Sequence, residues 1–352
     1  MTAGLIENKT GTLDEAIRIA AKVKQDLTVE DIVARAECAI RLAVAHGTSH
    51  IRTHVDVDGQ IGLKAVEAML LVKEKCSKLI DMQIVAFPQE GILSNPRVKG
   101  LLEESISYGV DAIGGIPTRD TDSKEHIDYL LELGQKSCLP LDMHVDESDN
   151  PGDFTLPYLA KRIRQVEFDK PVTVGHLCSL SAVSERQAIE TIELVAQAGI
   201  HVVTLPTSNL YLQGRQDDGL IRRGITRVKD LLKKGVNLAV ASDNVADPFF
   251  PLGDYNLMKS VWLISMLAQI NFSTSRELVL NLVTHNAARI MGLTNSYGTG
   301  IGSAANLVLY PTSNIEEIVG GSILPELVIK DGEIVFQRKM TFEYFLEGGS
   351  LK

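Results

Sequence analysis

One strand-like run in this chain ends Asp142-Met143-His144-Val145-Asp146-Glu147, which sets an imidazole and a carboxylate three residues apart. The next run ends Val174-Gly175-His176, and a later one ends Ala241-Ser242-Asp243-Asn244. Taken singly, each has an ordinary reading: a polar strand end in water, a satisfied buried histidine, or an Asp capping the following helix. Taken together they are three His- or acid-tipped runs that would converge on one rim. Histidine nitrogen and carboxylate oxygen are common ligands of Zn2+ and Fe2+. Such a metal lowers the pKa of bound water to about 7, and a neighbouring carboxylate can carry the proton from that water to a leaving nitrogen. His144, His176 and Asp243 are therefore the candidate ligands of one divalent ion. Glu147, His176 and Asp243 are the candidate catalytic groups of a hydrolytic deamination. Gln89 ends a further run, Phe87-Pro88-Gln89-Glu90-Gly91. Its amide offers both a donor and an acceptor, enough to read the –NH–C=O edge of a heterocycle. His54 and Asp56 in Thr53-His54-Val55-Asp56 stand at i and i+2, so they share a face and periodicity does not dismiss them.

For these tips to meet, the runs must lie side by side in parallel. The runs are His50–Val57, Met82–Glu90, Val110–Arg119, Leu139–Glu147, Pro171–Leu180, His201–Asn209 and Val236–Val245. Helical patterns separate them, among them Leu63–Ser77, His126–Ser137 and Ala182–Ala198. Their spacing of roughly 30 residues matches one βα unit per repeat, and alternating strand and helix implies a parallel sheet with helices outside. A closed barrel of this kind has eight strands and carries its active site at their C-terminal ends. Seven runs are present, and two helical stretches, Leu13–Lys24 and Val29–Ala45, precede the first. The fold class expected is thus an α/β (β/α)8 barrel lacking its first strand. After the last run, helices are expected at Tyr255–Ile270 and Ser275–Met291, then short strands within Gly298–Leu309 and Glu326–Gln337 with Asp331-Gly332 as a hairpin turn. The expected division is a barrel over residues 1–295 and a small β appendage over 296–352.

The bulk properties allow this. The chain has 352 residues, of which 45% are hydrophobic and 23% charged, sufficient for a large core and too little charge for broad disorder. A formal net charge of −10 without a basic block argues against nucleic acid or an anionic membrane as partner. No apolar run reaches the roughly 20 residues of a membrane span. Cys38, Cys76, Cys138 and Cys178 form no C-x-x-C pair and follow no secretory signal, which reads as reduced thiols in the cytoplasm.

Several motifs occur in a fixed order: Arg52-Thr-His-Val-Asp-Val57, Ile84-Val-Ala-Phe-Pro-Gln-Glu-Gly91, His144-Val-Asp-Glu147, Leu212-Gln-Gly-Arg215, Arg222-Arg-Gly-Ile-Thr-Arg-Val228 and Asp243-Asn-Val-Ala-Asp-Pro248. With Thr284-His-Asn-Ala-Ala-Arg289 and Ala304-Ala-Asn-Leu-Val308, this series resembles the cytosine-deaminase branch of the metal-dependent amidohydrolases over nearly the whole chain. The resemblance implies His144 and Asp243 as metal ligands, Glu147 as proton shuttle, and His176 beside the metal orienting the attacking hydroxide. It implies iron or zinc as the metal, Gln89 reading the amide edge of the substrate, and Asn244 and Phe249 facing it. It also sets His54 aside, because the family's second strand does not supply its principal ligands.

Two departures matter. The family's His-x-His pair stands on strand one, upstream of the motifs present, and Asn244 and Phe249 replace an Asp and a Trp common in cytosine deaminases. The expected substrate is a nucleobase-like ring, cytosine first, with triazine, pterin or creatinine-like rings as alternatives. A catalytically inactive barrel serving as a binding or homo-oligomer-forming subunit is a second hypothesis. A metal-free barrel enzyme ranks last, because no strand-end Lys or Gly-rich phosphate loop follows the last runs. Without the His-x-His strand, weak metal binding and exposed sheet edges prone to association are expected.

Overall fold

The computed structural model describes residues 6–341 except 216, 220, 221, 321 and 322, together with the backbone of 345–346 and 349–350; the side chains of 272–274 are not described. Seven strands form one sheet: β1 (His50–Asp56), β2 (Asp81–Phe87), β3 (Ala112–Ile113), β4 (Leu141–Val145), β5 (Val172–His176), β6 (His201–Thr204) and β7 (Leu238–Val240). Each pairs in parallel with its sequence neighbours, in chain order, so β1 and β7 are the edges. This is the (β/α) barrel architecture with the seven strands that the spacing predicts. Its strands read as apolar runs because helices cover the outer face and the opposite wall the inner one. Ile84, Met143, Val174, Val202 and Leu238 are completely buried in a single core.

Helices α1 (Leu13–Asp26) and α2 (Val29–Ala45) precede β1. Between the strands come α3 (Lys64–Lys75), α4 (Pro96–Ser107), α5 (Ser123–Ser137), α6 (Leu156–Gln165), α7 (Glu185–Gln197), α8 (Pro206–Leu212) and α9 (Val228–Lys233). After β7 follow α10 (Leu257–Leu267), α11 (Phe272–Asn281), α12 (His285–Ile290) and α13 (Ile315–Val319). The starts are written locally. Thr28 and Ser184 cap α2 and α7 in reciprocal capping boxes, and Asp122 accepts from the Lys124 and Glu125 N–H groups at the start of α5.

Several runs differ from expectation, Val236–Val245 among them, which is a strand only over Leu238–Val240. His201–Asn209 is a strand only to Thr204, because Pro206 opens α8 at a position where its missing N–H costs nothing. Val110–Arg119 pairs only at Ala112–Ile113, since the chain then passes so close to β4 that only glycine fits. A Cβ on Gly114 would lie 1.9 Å from the Asp142 carbonyl oxygen, and one on Gly115 would lie 2.6 Å from His126 Nε2. Ser275–Met291 breaks at Thr284, whose φ of −123° and ψ of −97° are not helical. Gly298–Leu309 is a strand only over β8 (Leu307–Leu309), because Gly298, Gly300 and Gly302 make the preceding stretch turns. β8 joins β9 (Leu327–Lys330) and β10 (Glu333–Gln337) in an antiparallel sheet of order β10-β9-β8. Its hairpin turns where expected, with Asp331 and Gly332 at φ of 51° and 86°. Two-residue strands β11 (Phe345–Leu346) and β12 (Gly349–Ser350) form a last pair.

The seam between β1 and β7 is not bare at its lower end. The Val240 N–H donates to the Leu282 carbonyl at 2.9 Å, and Asn286 Nδ2 donates to the Leu238 carbonyl at 2.8 Å. On the other side, Arg52 Nη2 donates to the Ile290 carbonyl at 3.0 Å and Gln83 Nε2 to the Met291 carbonyl at 3.0 Å. The segment through α12 thus holds groups from both sides of the seam. The exposed last-strand edge expected from sequence is partly satisfied, because a helix C-terminus has carbonyls to offer.

Candidate active site

A cavity of about 580 Å³ runs along β1 and the strand ends to α12, lined by His54, Gln89, His144, Asp243, Asn244 and Phe249, among others. Strand alternation explains the first layer. Asp142 and His144 are two apart on β4 and share its inward face, as do Arg52 and His54 on β1. One ligand atom each from His144, Glu147 and His176 lies within 4.8 Å of the others. The His144 and His176 rings are 4.5 Å apart between centroids, and His176 Nδ1 is 3.5 Å from a Glu147 oxygen.

The backbone is bent to aim these groups. His176 and Asp243 have φ of 72° and 59°, the left-handed region that a side chain with a Cβ adopts at a cost. Two strand ends carrying candidate functional groups therefore hold strained geometry, and Asp243 lines the cavity.

The electrostatics are those of a site prepared for a cation. Burial, with the neighbouring His54, pushes His176 down to about 3. Burial with the nearby His176 and His54 holds His144 well below the usual histidine value. Both rings are therefore neutral, each with one nitrogen lone pair. Burial, then the Asp243 carboxylate, pushes Glu147 up to about 8 against the opposing charge of Arg119. Burial takes Asp243 up to about 6, while Ser208 acts in the opposite direction. Crowded buried carboxylates without a cation prefer a proton.

A metal fits this donor set on an independent observation. The Nε2 of His176 is buried and has no hydrogen-bond partner among the described residues, which is costly unless something is bound there. Two bonds of about 2.1 Å span about 4 Å, so the three donors need only a small inward adjustment. Asp243, expected as a ligand, stands outside this tight group though within electrostatic reach of Glu147. Glu147, expected as a shuttle, lies inside it.

The other expected residues are placed as follows. Gln89 and Asn244 line the cavity. Phe249 is 7% exposed and packs with Ala16 of α1 and Leu212 of α8, making part of the wall.

The sequence reading set His54 aside and did not foresee the residues that hold the candidate groups. His54 is at the heart of the site, 4.7 Å from the His144 ring and hydrogen-bonded through Nε2 to Asp142 at 3.0 Å. Asp142 is in turn held by Arg52 at 2.8 Å. Asn209 lies with Nδ2 3.0 Å from His176 Nδ1 and orients that ring. Lys24 of α1 is buried against Asp56 at 2.8 Å and Asp58 at 3.0 Å, and its ammonium reaches Gln89. Asp247 holds Asn244. The i, i+2 spacing of His54 and Asp56 was the one signal available for His54.

A model described as the amidohydrolase family matches residues 4–336. The chain is 32% identical over 307 residues to a pterin deaminase of Rhizobium rhizogenes, covering 87% of this chain and 70% of that one. It is 28% identical over 326 residues to N-isopropylammelide isopropyl amidohydrolase of Pseudomonas sp. strain ADP, covering 92% of this chain and 78% of that one. Its fold superposes with a TM-score of 0.93 and 34% identity on the crystal structure of 5-methylcytosine deaminase from Klebsiella pneumoniae liganded with 5-fluorocytosine, covering 98% of this chain and 84% of that one.

Proposed function

This chain belongs to the amidohydrolase family, and from that premise we propose that it is a metal-dependent hydrolytic deaminase of a small nitrogen heterocycle, with a cytosine-like ring as the leading substrate. The observation that carries the reading is the cluster of His144, Glu147 and His176, whose member His144 lines the cavity. His144 and His176 would hold a divalent ion of the iron or zinc type, with Asp243 or Glu147 supplying oxygen. When bound, such an ion polarises water and makes it a nucleophile at neutral pH.

The chain's own groups do the rest. Glu147, as the carboxylate that a neighbouring cation would favour, accepts the proton of the attacking water and delivers it to the leaving nitrogen. His54, oriented by Asp142, and the Phe87 ring, 4.5 Å from His144, close the base of the cavity. Gln89 and Asn244 bind the heteroatoms of the ring. The likeness to the 5-methylcytosine enzyme favours a pyrimidine, and the pterin deaminase keeps a bicyclic ring among the candidates.

The test is ammonia release by the purified chain, supplied with Zn2+ or Fe2+, from cytosine, 5-methylcytosine, pterin and an aminotriazine. Release from at least one ring is expected. Glu147→Gln should lower it at least a hundredfold while metal still binds, measured as metal content per chain. No release from any ring by the metal-loaded protein overturns the proposal, and unchanged turnover in Glu147→Gln removes that residue from its role.

A further inference from the structure

Two primary amides line the cavity, and each is gripped at one end only. Lys24 Nζ donates to Gln89 Oε1 at 3.3 Å. Asn244 Nδ2 donates to Asp247 Oδ2 at 2.8 Å. No partner holds the free end of either amide among the described residues.

The chemistry of the grips fixes which end is which. An ammonium has three donors and no acceptor, so the Gln89 atom facing Lys24 must be oxygen. Lys24 cannot turn away easily. It is 5% exposed and bridges the carboxylates of Asp56 and Asp58, so it is anchored as a cation. Asp247 is equally committed. Its Oδ1 accepts from the Phe249 and Phe250 N–H groups at 2.9 and 3.0 Å, and its Oδ2 takes the Asn244 amide. Three donors converge on it, and the Asn244 atom facing it must be nitrogen.

We infer that Lys24 and Asp247 are positioning residues that set the two cavity amides in opposite senses, so that Gln89 presents its NH2 donor and Asn244 its carbonyl acceptor to the bound ring. The inference rests on the proposal that Gln89 and Asn244 face the substrate. It deepens that proposal by naming the substrate edge. The ring must carry an acceptor toward Gln89 and an N–H toward Asn244, as a cyclic lactam does. An aminated ring with only bare ring nitrogens would leave the Asn244 carbonyl facing a lone pair. A buried polar group left unpaired in this way discriminates more strongly than a missing methyl group does.

Asp247→Asn tests this with almost no change of shape. Two backbone N–H groups demand an oxygen at the Oδ1 position, so the new amide must place its NH2 where Oδ2 was. Two NH2 groups cannot pair. Asn244 must then turn over, give its oxygen to the new amide and present NH2 to the cavity. Binding of cytosine, a lactam, and 4-aminopyrimidine, which lacks the N–H and the carbonyl, is measured by titration calorimetry.

The unmodified protein is expected to prefer cytosine. Asp247→Asn should weaken cytosine by about tenfold or more and tighten 4-aminopyrimidine. Asn244→Ala, which deletes the amide and with it the carbonyl that opposes the bare ring nitrogen, should weaken cytosine without weakening 4-aminopyrimidine, and it decides the question if Asp247→Asn does not fold. Parallel changes for both rings, no change, or binding of neither ring by the unmodified protein overturns the inference. Ammonia release is recorded separately. A chain that shows this binding pattern without releasing ammonia upholds the amide senses and overturns the deaminase reading instead.

Discussion

His176 takes its orientation from Asn209, whose amide can offer either a donor or an acceptor to Nδ1. With the amide nitrogen toward the ring, Nδ1 accepts and the proton sits on Nε2. With the amide turned, Nδ1 donates and the Nε2 lone pair is free for a metal. One side chain thus supports both expected roles of His176, ligand and orienting group. Asn209→Leu removes the support without adding charge. Second-layer changes of this kind cost about 10–100-fold in metal affinity or turnover. We expect a loss of that size in metal affinity, measured by competition with a chromophoric chelator, with the melting temperature largely kept. An unchanged affinity would show that packing alone holds the ring. Metal binding also has a stability readout, since an ion at 100 times its dissociation constant should add about 2.7 kcal/mol. A melting temperature insensitive to Zn2+, Fe2+ and chelator would argue against a folded-state site at His144 and His176.

The loop that carries Gln89 is held by an element some distance along the chain. Asp120 is buried, accepts from His126 at 2.6 Å, and takes the Ile92, Leu93 and Ser94 N–H groups at 2.8, 3.0 and 3.3 Å. Gly91 stands against it: a Cβ there, at φ of 98°, would lie 2.5 Å from Asp120 Oδ1. Burial raises the Asp120 carboxyl, but the hydrogen bonds from His126 and the Ile92 and Leu93 amides outweigh it, so its pKa lies below the ordinary aspartate value. A carboxylate depressed on folding contributes stability that is fully present above its unfolded value of about 3.9 and is lost as pH falls through the lower folded value. Asp120→Asn should therefore cost about 1–3 kcal/mol at pH 7. It should also flatten the fall in stability below about pH 4. Urea unfolding at several pH values checks both, and parallel profiles for the two proteins would count against this role.

At the scale of the molecule, the parallel sheet has two edges, and the segment through α12 bonds to groups at both. Asn286 is the tie to β7: Nδ2 reaches the Leu238 carbonyl, while its own carbonyl takes the Asn237 amide at 3.1 Å. Releasing that edge leaves strand groups able to pair with another chain. Asn286→Ala should lower stability by about 1–2 kcal/mol and raise light scattering at equal protein concentration. Scattering indistinguishable from that of the unmodified protein would remove α12 from this protective part.

The sequence by itself determined the alternation of strands and helices and the residues at the strand ends, because both are local. A strand shows its period of two and a helix its caps within a few residues. His144, Glu147, His176 and Gln89 could be named as candidates for the same reason, as polar groups terminating apolar runs, whereas Asn244 was named only through the family resemblance. Only the tertiary structure decided who holds them. Lys24 meets Gln89 across 65 residues, Arg52 meets Asp142 across 90, and Asn209 meets His176 across 33. A buried charge or amide must have a partner, but many polar residues could serve, and only the folded barrel brings one of them within hydrogen-bond distance. The departures had the same origin. β3 ended early because Gly114 and Gly115 pass against β4 and α5, a closeness no local pattern records. His54 stood aside in the sequence and joined the site because β1 faces β4 across the barrel.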